Sequence, residues 1–220
     1  MSISDNITQI RRQVPNCVQL VCVSKFHPTE DIQTAYDLGE RLFGESRAQE
    51  LIQKQELLPK DIEWHFIGSL QTNKVKQVVP LATLIHSVDS IKLLEAIHKY
   101  ASNQQIISRV LLEVHVAEEE TKHGFSPDEI RAFFVSESWK EYPAIQFCGL
   151  MTMGTNDVSE NQTRQEFKVV RELFQEVQAQ VNNNYFKELS MGMSHDFKIA
   201  IEEGSTIVRI GSSIFGERSY

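Results

Sequence analysis

Nothing in the 220 residues approaches the run of about 20 apolar residues that crosses a bilayer. The first fourteen, MSISDNITQIRRQV, include an acid and no apolar stretch, so no secretory leader is expected and the expected location is cytoplasmic. Basic charge is scarce, with 22 Lys and Arg against 30 Asp and Glu, a net charge of −8. A phosphate-backbone binder needs a basic stripe, and Arg11–Arg12 is the only tight pair. Neither nucleic acid nor membrane is an expected partner. Cysteine is scarcer still. Cys17, Cys22 and Cys148 form no CxxC pair and sit among apolar neighbours, which predicts buried free thiols rather than a disulfide framework. GxGxxG, Walker A, GxSxG and HExxH are all missing, which removes dinucleotide, P-loop, α/β-hydrolase and zinc-protease readings. No linker or low-complexity stretch divides the chain, so one domain over residues 1–220 is expected.

What the sequence does contain is a regular alternation. An amphipathic opening (Ile3, Ile7, Ile10, Val14) stops at Pro15-Asn16. Short apolar runs then begin near Val18, Arg41, Ile62, Ala82, Ile107, Ile145, Lys187 and Thr206, with helical stretches between them. From residue 18 to residue 206 the seven intervals average about 27 residues, the length of a compact βα unit. Continuous apolar strands are what a parallel sheet covered on both faces requires. Eight such units predict an α/β chain folded as a (β/α)8 TIM barrel, with an extra N-terminal helix. A doubly wound open sheet is the rival, and it would more often show a Gly-rich first turn.

Barrel chemistry sits where strands end. Lys25 closes the first run on the face of Val21 and Val23, so an inward face would put its amine in a desolvated mouth as a nucleophile. Ser194, with Asp196, reads as a helix start after the seventh run: a Ser cap and an acid in the first turn. Arg209 ends the eighth run, followed by Gly211 and Ser212, and Gly211 lets backbone approach a ligand. Small hydroxyl residues and open amides there suit a phosphate. An amine at one end and a phosphate grip at the other describe either pyridoxal 5′-phosphate (PLP) or a sugar phosphate held by a Schiff-base aldolase. His65, His86, His115 and His123 lack metal-binding spacing and are expected to be structural or solvent-facing, His65 being the one to line a pocket. Of Met151 and Met153, one is expected near the ligand ring and the other outside. Glu118-Glu119-Glu120 reads as a solvated loop.

Seven motifs narrow the choice: VSK (23–25), FGESRAQE (43–50), WHFIGSLQTNK (64–74), HSVD (86–89), KHG (122–124), GLMTM (149–153), and SMGMSHDFKIAI with GSTIVRIGSSIFGER (190–218). In that order they resemble the YggS/PROSC family of PLP homeostasis proteins, from Val18 to Arg218. The resemblance implies a barrel of the alanine-racemase N-terminal-domain type and PLP as cofactor. It implies Lys25 as the Schiff-base lysine, Ser194, Gly211 and Ser212 as phosphate ligands, and Arg209 facing the pyridine nitrogen. A guanidinium there leaves the ring nitrogen unprotonated and weakens the ring as an electron sink. The implied role is cofactor homeostasis and amino-acid and keto-acid balance without marked turnover. A PLP-dependent racemase is the alternative, although related racemases draw a second acid/base tyrosine from a further domain and the partner subunit, and the chain ends at Tyr220. PLP-dependent apo-enzymes or a regulatory protein are the implied partners of a monomeric chain. Where the family has GEN, this chain has Gly44-Glu45-Ser46, which puts any ring contact from position 46 in doubt.

Overall fold

The computed structural model of the chain describes residues 2–116, 123–155 and 158–216. Its eight parallel strands are β1 (Gln19–Val23), β2 (Leu42–Glu45), β3 (Glu63–Phe66), β4 (Leu84–Val88), β5 (Ser108–Val114), β6 (Ile145–Thr152), β7 (Glu188–Ser190) and β8 (Ile207–Ile210). They close in sequence order, with β8 pairing back onto β1. Every strand falls on one of the eight apolar runs. The helices α2 (Thr29–Asp37), α3 (Ala48–Leu57), α4 (Val75–Val78), α5 (Ile91–Gln104), α6 (Pro127–Val135), α7 (Glu160–Val181), α8 (Phe197–Glu202) and α9 (Ser212–Phe215) alternate with them. The expected extra helix, α1 (Ile3–Arg11), starts at a reciprocal Ser2–Asp5 cap and buries Ile7 and Ile10. Asn6 Nδ2 donates to the Ile214 carbonyl at 2.9 Å, which ties α1 to α9. No described helix is long and apolar enough to cross a membrane.

Strand alternation sorts side chains between two cores. Leu20 and Cys22 of β1 point outward beneath the helices, whereas Val21 points inward. It meets Leu84, Leu111, Cys148, Met151 and Ile207 in a small apolar plug inside the barrel. Above this plug the inward side chains turn polar: His65, His86, Glu113, Ser190 and Arg209 are all buried.

A bulge in β6 adjusts the pattern. Pairing with β5 passes from Val110↔Phe147 to Leu111↔Gly149, so Cys148 is the extra residue. Gly149 has φ +150°, and a Cβ there would lie 1.8 Å from the Glu188 carbonyl oxygen. Only glycine lets β7 approach so closely. Beyond the bulge, Met151 packs in the inner plug and Met153 lines the mouth above it. The two lie two residues apart and share a face, which corrects the expectation that one would point outside. The thiols also need one correction. Cys22 and Cys148 are buried as expected, but Cys17 is exposed in the turn that leads into β1.

Candidate functional site

Lys25 stands two residues past Val23, at the mouth, and a charged cluster on the neighbouring unit fixes the backbone on either side of it. Lys54 of α3 donates to the Ser24 carbonyl at 2.8 Å and to Glu45 Oε1 at 2.7 Å. Ser24 Oγ donates to the same carboxylate oxygen at 2.6 Å. Glu50, one turn before Lys54, accepts the Phe26 amide at 2.8 Å. Phe26 itself has φ +68°, a left-handed conformation that costs a bulky residue on the order of 1–3 kcal/mol. The Glu50 bond and the Arg47 guanidinium, 4.3 Å from the Phe26 ring centroid, hold it there. Burial pushes the Glu45 carboxyl up, against the pull of Lys54 and Ser24. Losing one partner of such a buried pair typically costs about 3–5 kcal/mol, so the lysine is carried on a rigid support.

Arg209 lies on β8, the strand that pairs with β1, and points inward beside Ile207 as its strand parity predicts. Its Nη1 donates to Ser190 O at 3.0 Å and Ser190 Oγ at 2.5 Å, and its Nη2 donates to Thr152 O at 3.0 Å. That leaves its Nε–H and one Nη2 proton without a partner among the described residues. Behind Ser190 the chain of bonds continues to His86 Nδ1 at 3.0 Å, and from His86 Nε2 to His65 Nδ1 at 2.9 Å. Its direction follows from Arg209, which can only donate. Ser190 Oγ accepts from it and passes its own proton to His86, which in turn donates to His65. Burial lowers the pKa of both histidines, that of His65 to about 3, so both are neutral. Burial likewise lowers Arg209, to about 10, and it remains a cation at neutral pH. His65 therefore supports Arg209 from below and does not line the Lys25 cavity, contrary to expectation.

The third part lies between β7 and β8. Asp196, not Ser194, stands at the N-cap position of α8, and its Oδ1 accepts the Met193 amide at 2.6 Å. Ser194 Oγ turns instead toward the neighbouring loop after β8, where the Gly211 and Ser213 amides donate to it at 3.3 and 3.4 Å. Sequence alone misplaces this cap because Ser and Asp are both good cap residues. The Ser194 hydroxyl and two amides thus converge at one point. Gly211 belongs there because a Cβ would press to 3.2 Å against Val23 of β1.

Lys25, Met153, Ser194, Arg209, Gly211 and Ser212 all line one cavity of about 250 Å³. The five residues singled out from sequence are therefore brought together. Ser46 is not among them. It borders a separate depression with Ala48 and Gln71. Tyr36, Tyr100, Tyr142 and Tyr185 also stay away from this cavity. Glu118-Glu119-Glu120, Lys122, Arg218 and Tyr220 lie outside the described residues. Sequence reading missed Glu45, Glu50, Lys54 and Ser190 as supports, and placed His86 among the structural histidines without its partners. The roles of His86 and Ser190 could have been found by carrying the inward parity of Arg209 to the other strands.

An amine, a guanidinium with unspent donors, hydroxyls and converging amides suit a ligand with a reactive carbonyl, a hydrogen-bond acceptor and a phosphate. Comparison with known proteins points the same way. The family model described as "Alanine racemase, N-terminal domain" matches residues 1–219. A pyridoxal phosphate homeostasis protein of Aquifex aeolicus is 46% identical over 206 residues, covering 93% of this chain and 89% of its own. The human protein of that name is 39% identical over 214 residues, covering 92% and 77%. PipY of Synechococcus elongatus PCC7942, solved with PLP bound, is 36% identical with a TM-score of 0.90, covering 98% of this chain and 100% of that one. Alanine racemase from Bartonella henselae, at 14% identity and a TM-score of 0.74, covers 99% of this chain and 60% of its own and shares the fold alone.

Proposed function

Because the chain belongs to the pyridoxal phosphate homeostasis proteins, within the alanine racemase N-terminal domain family, we propose that it binds PLP in the Lys25 cavity and serves as a carrier rather than a catalyst. The observation that carries this reading is that Lys25, Arg209, Ser194, Gly211 and Ser212 all line one cavity. When bound, the cofactor supplies an aldehyde carbon that a lysine amine can join. Lys25 supplies that amine. Arg209 would offer the ring nitrogen one of its unspent N–H groups. Ser194, Ser212 and the Gly211 and Ser213 amides would hold the phosphate. Cofactor held this way is available to PLP-dependent apo-enzymes. The test is uptake by the purified protein, followed by borohydride reduction and peptide mapping. One equivalent fixed on the peptide containing Lys25 is expected, and no uptake would end the reading.

Arg209→Gln should weaken PLP retention. Removing a charge-assisted hydrogen bond costs about 1.5–3 kcal/mol, roughly 10- to 150-fold in affinity. Equilibrium dialysis reads this directly, and equal affinity in variant and wild type would place Arg209 outside the cofactor's contacts.

A carrier should also be a poor racemase. Racemization needs an acid and a base on opposite faces of the reacting carbon, and among the described residues no tyrosine lines the cavity. A charged Arg209 also disfavours a protonated ring nitrogen. Alanine incubated in deuterated water should therefore invert at well below about 1 s⁻¹, the low end of enzyme turnover. Chiral analysis showing faster inversion would make the protein an enzyme.

A further inference from the structure

Next to the Lys25 cavity lies a second one of about 200 Å³, and Ile67 and Met153 line both. Its chemistry is different. Ser69, Ser87, His115 and His123 border it, and Glu113 projects into it from β5. Glu113 shares the inward parity of Leu111, is only 7% exposed, and has no hydrogen-bond partner among the described residues. Arg209 does not satisfy it, since the bonds of that guanidinium go to Ser190 and Thr152. Asp89, half-buried just past β4, adds a second negative charge close enough to act on Glu113. A buried carboxyl without a partner is rare in a native interior, and one facing a cavity beside a cofactor pocket invites a donor from outside. Among the described residues no group of three or more His, Cys, Asp or Glu could hold a metal ion. A small N–H donor with positive charge fits better.

We propose that this compartment binds the primary ammonium group of a small amine or amino acid, with Glu113 as its acceptor and Asp89 as supporting charge. The site rests on the cofactor reading for its purpose, because this compartment shares Ile67 and Met153 with the Lys25 cavity. Glu113 carboxylate takes one N–H proton, forming its O–H bond, and the nitrogen keeps the electron pair of the broken N–H bond. With this proton lost, the nitrogen would carry the lone pair that attack on a carbonyl requires. A carboxyl whose pKa burial and Asp89 raise to about 7 is matched to that transfer near neutral pH.

The test uses ethylammonium and glycine as probes on the cofactor-free protein, by calorimetry and by the ¹³C resonance of the Glu113 carboxyl. Both probes should bind and move that resonance, and Glu113→Gln should weaken binding at least about tenfold. Binding of glycine alone would identify amino acids as the source, and ethylammonium alone would identify plain amines. Tetramethylammonium, which has no N–H, should bind neither protein. Equal binding of the probes by wild type and Glu113→Gln, or equal binding of tetramethylammonium and ethylammonium, would overturn the site. Failure of the cofactor reading shows separately, as PLP fixed to a residue other than Lys25.

Discussion

Lys25→Ala should abolish covalent capture of PLP while leaving the barrel folded. The expected record is loss of the visible absorbance of lysine-bound cofactor and loss of the borohydride-fixed peptide. Far-ultraviolet circular dichroism and a single cooperative unfolding transition should be retained. The fold survives because the inner plug of Val21, Leu84, Leu111, Cys148, Met151 and Ile207 lies below Lys25 and does not include it. Non-covalent affinity should fall but persist, because Arg209, Ser194 and the Gly211 amide still face the cavity. An unchanged absorbance in this variant would transfer the attachment to another lysine. Lys54 is the control. It is buried and bonded to Ser24, Glu45 and Glu50, so it has no route to an aldehyde in the cavity.

Much of this arrangement can be read from the chain itself, for a physical reason. Strands of a parallel barrel are covered on both faces and read as short continuous apolar runs, so all eight stand out at their spacing. Inward parity then carries Val21 and Val23 to Lys25, and Ile207 to Arg209. The supports are less legible because they depend on meetings between distant residues. Glu45 and Lys54 look like unremarkable surface charges until α3 folds back over β2 and buries both. Met151 and Met153 were readable from alternation alone, because residues two apart in a strand share a face. The β6 bulge at Gly149 is what brings Cys148 inward as well. Glu113 sits in an apolar run of β5, where its inward position is what separates a buried acid from a solvated one.

That burial gives Glu113 the other large expected effect, a stability that depends on pH. Its carboxyl moves from an ordinary value of 4.5 to about 7, chiefly through burial, with the Asp89 charge adding and the Arg209 charge opposing. These two charges act on it from just past β4 and from β8, while His115 and His123 border the same cavity. A raised carboxylic pKa favours the folded state only while the proton stays on. Between pH 4.5 and 7 the unfolded chain loses this proton and the folded chain keeps it, so stability falls across that window and is level above it. At about 1.4 kcal/mol per pH unit the loss is about 3 kcal/mol. Glu113→Gln keeps the shape and never ionises. It should match wild type near pH 4.5 and exceed it by up to about 3 kcal/mol at pH 8, measured by urea unfolding of the cofactor-free proteins. Parallel stability curves for the two proteins from pH 4.5 to 8 would show that Glu113 ionises freely in the fold. It would then lack the desolvated cavity that the ammonium site requires.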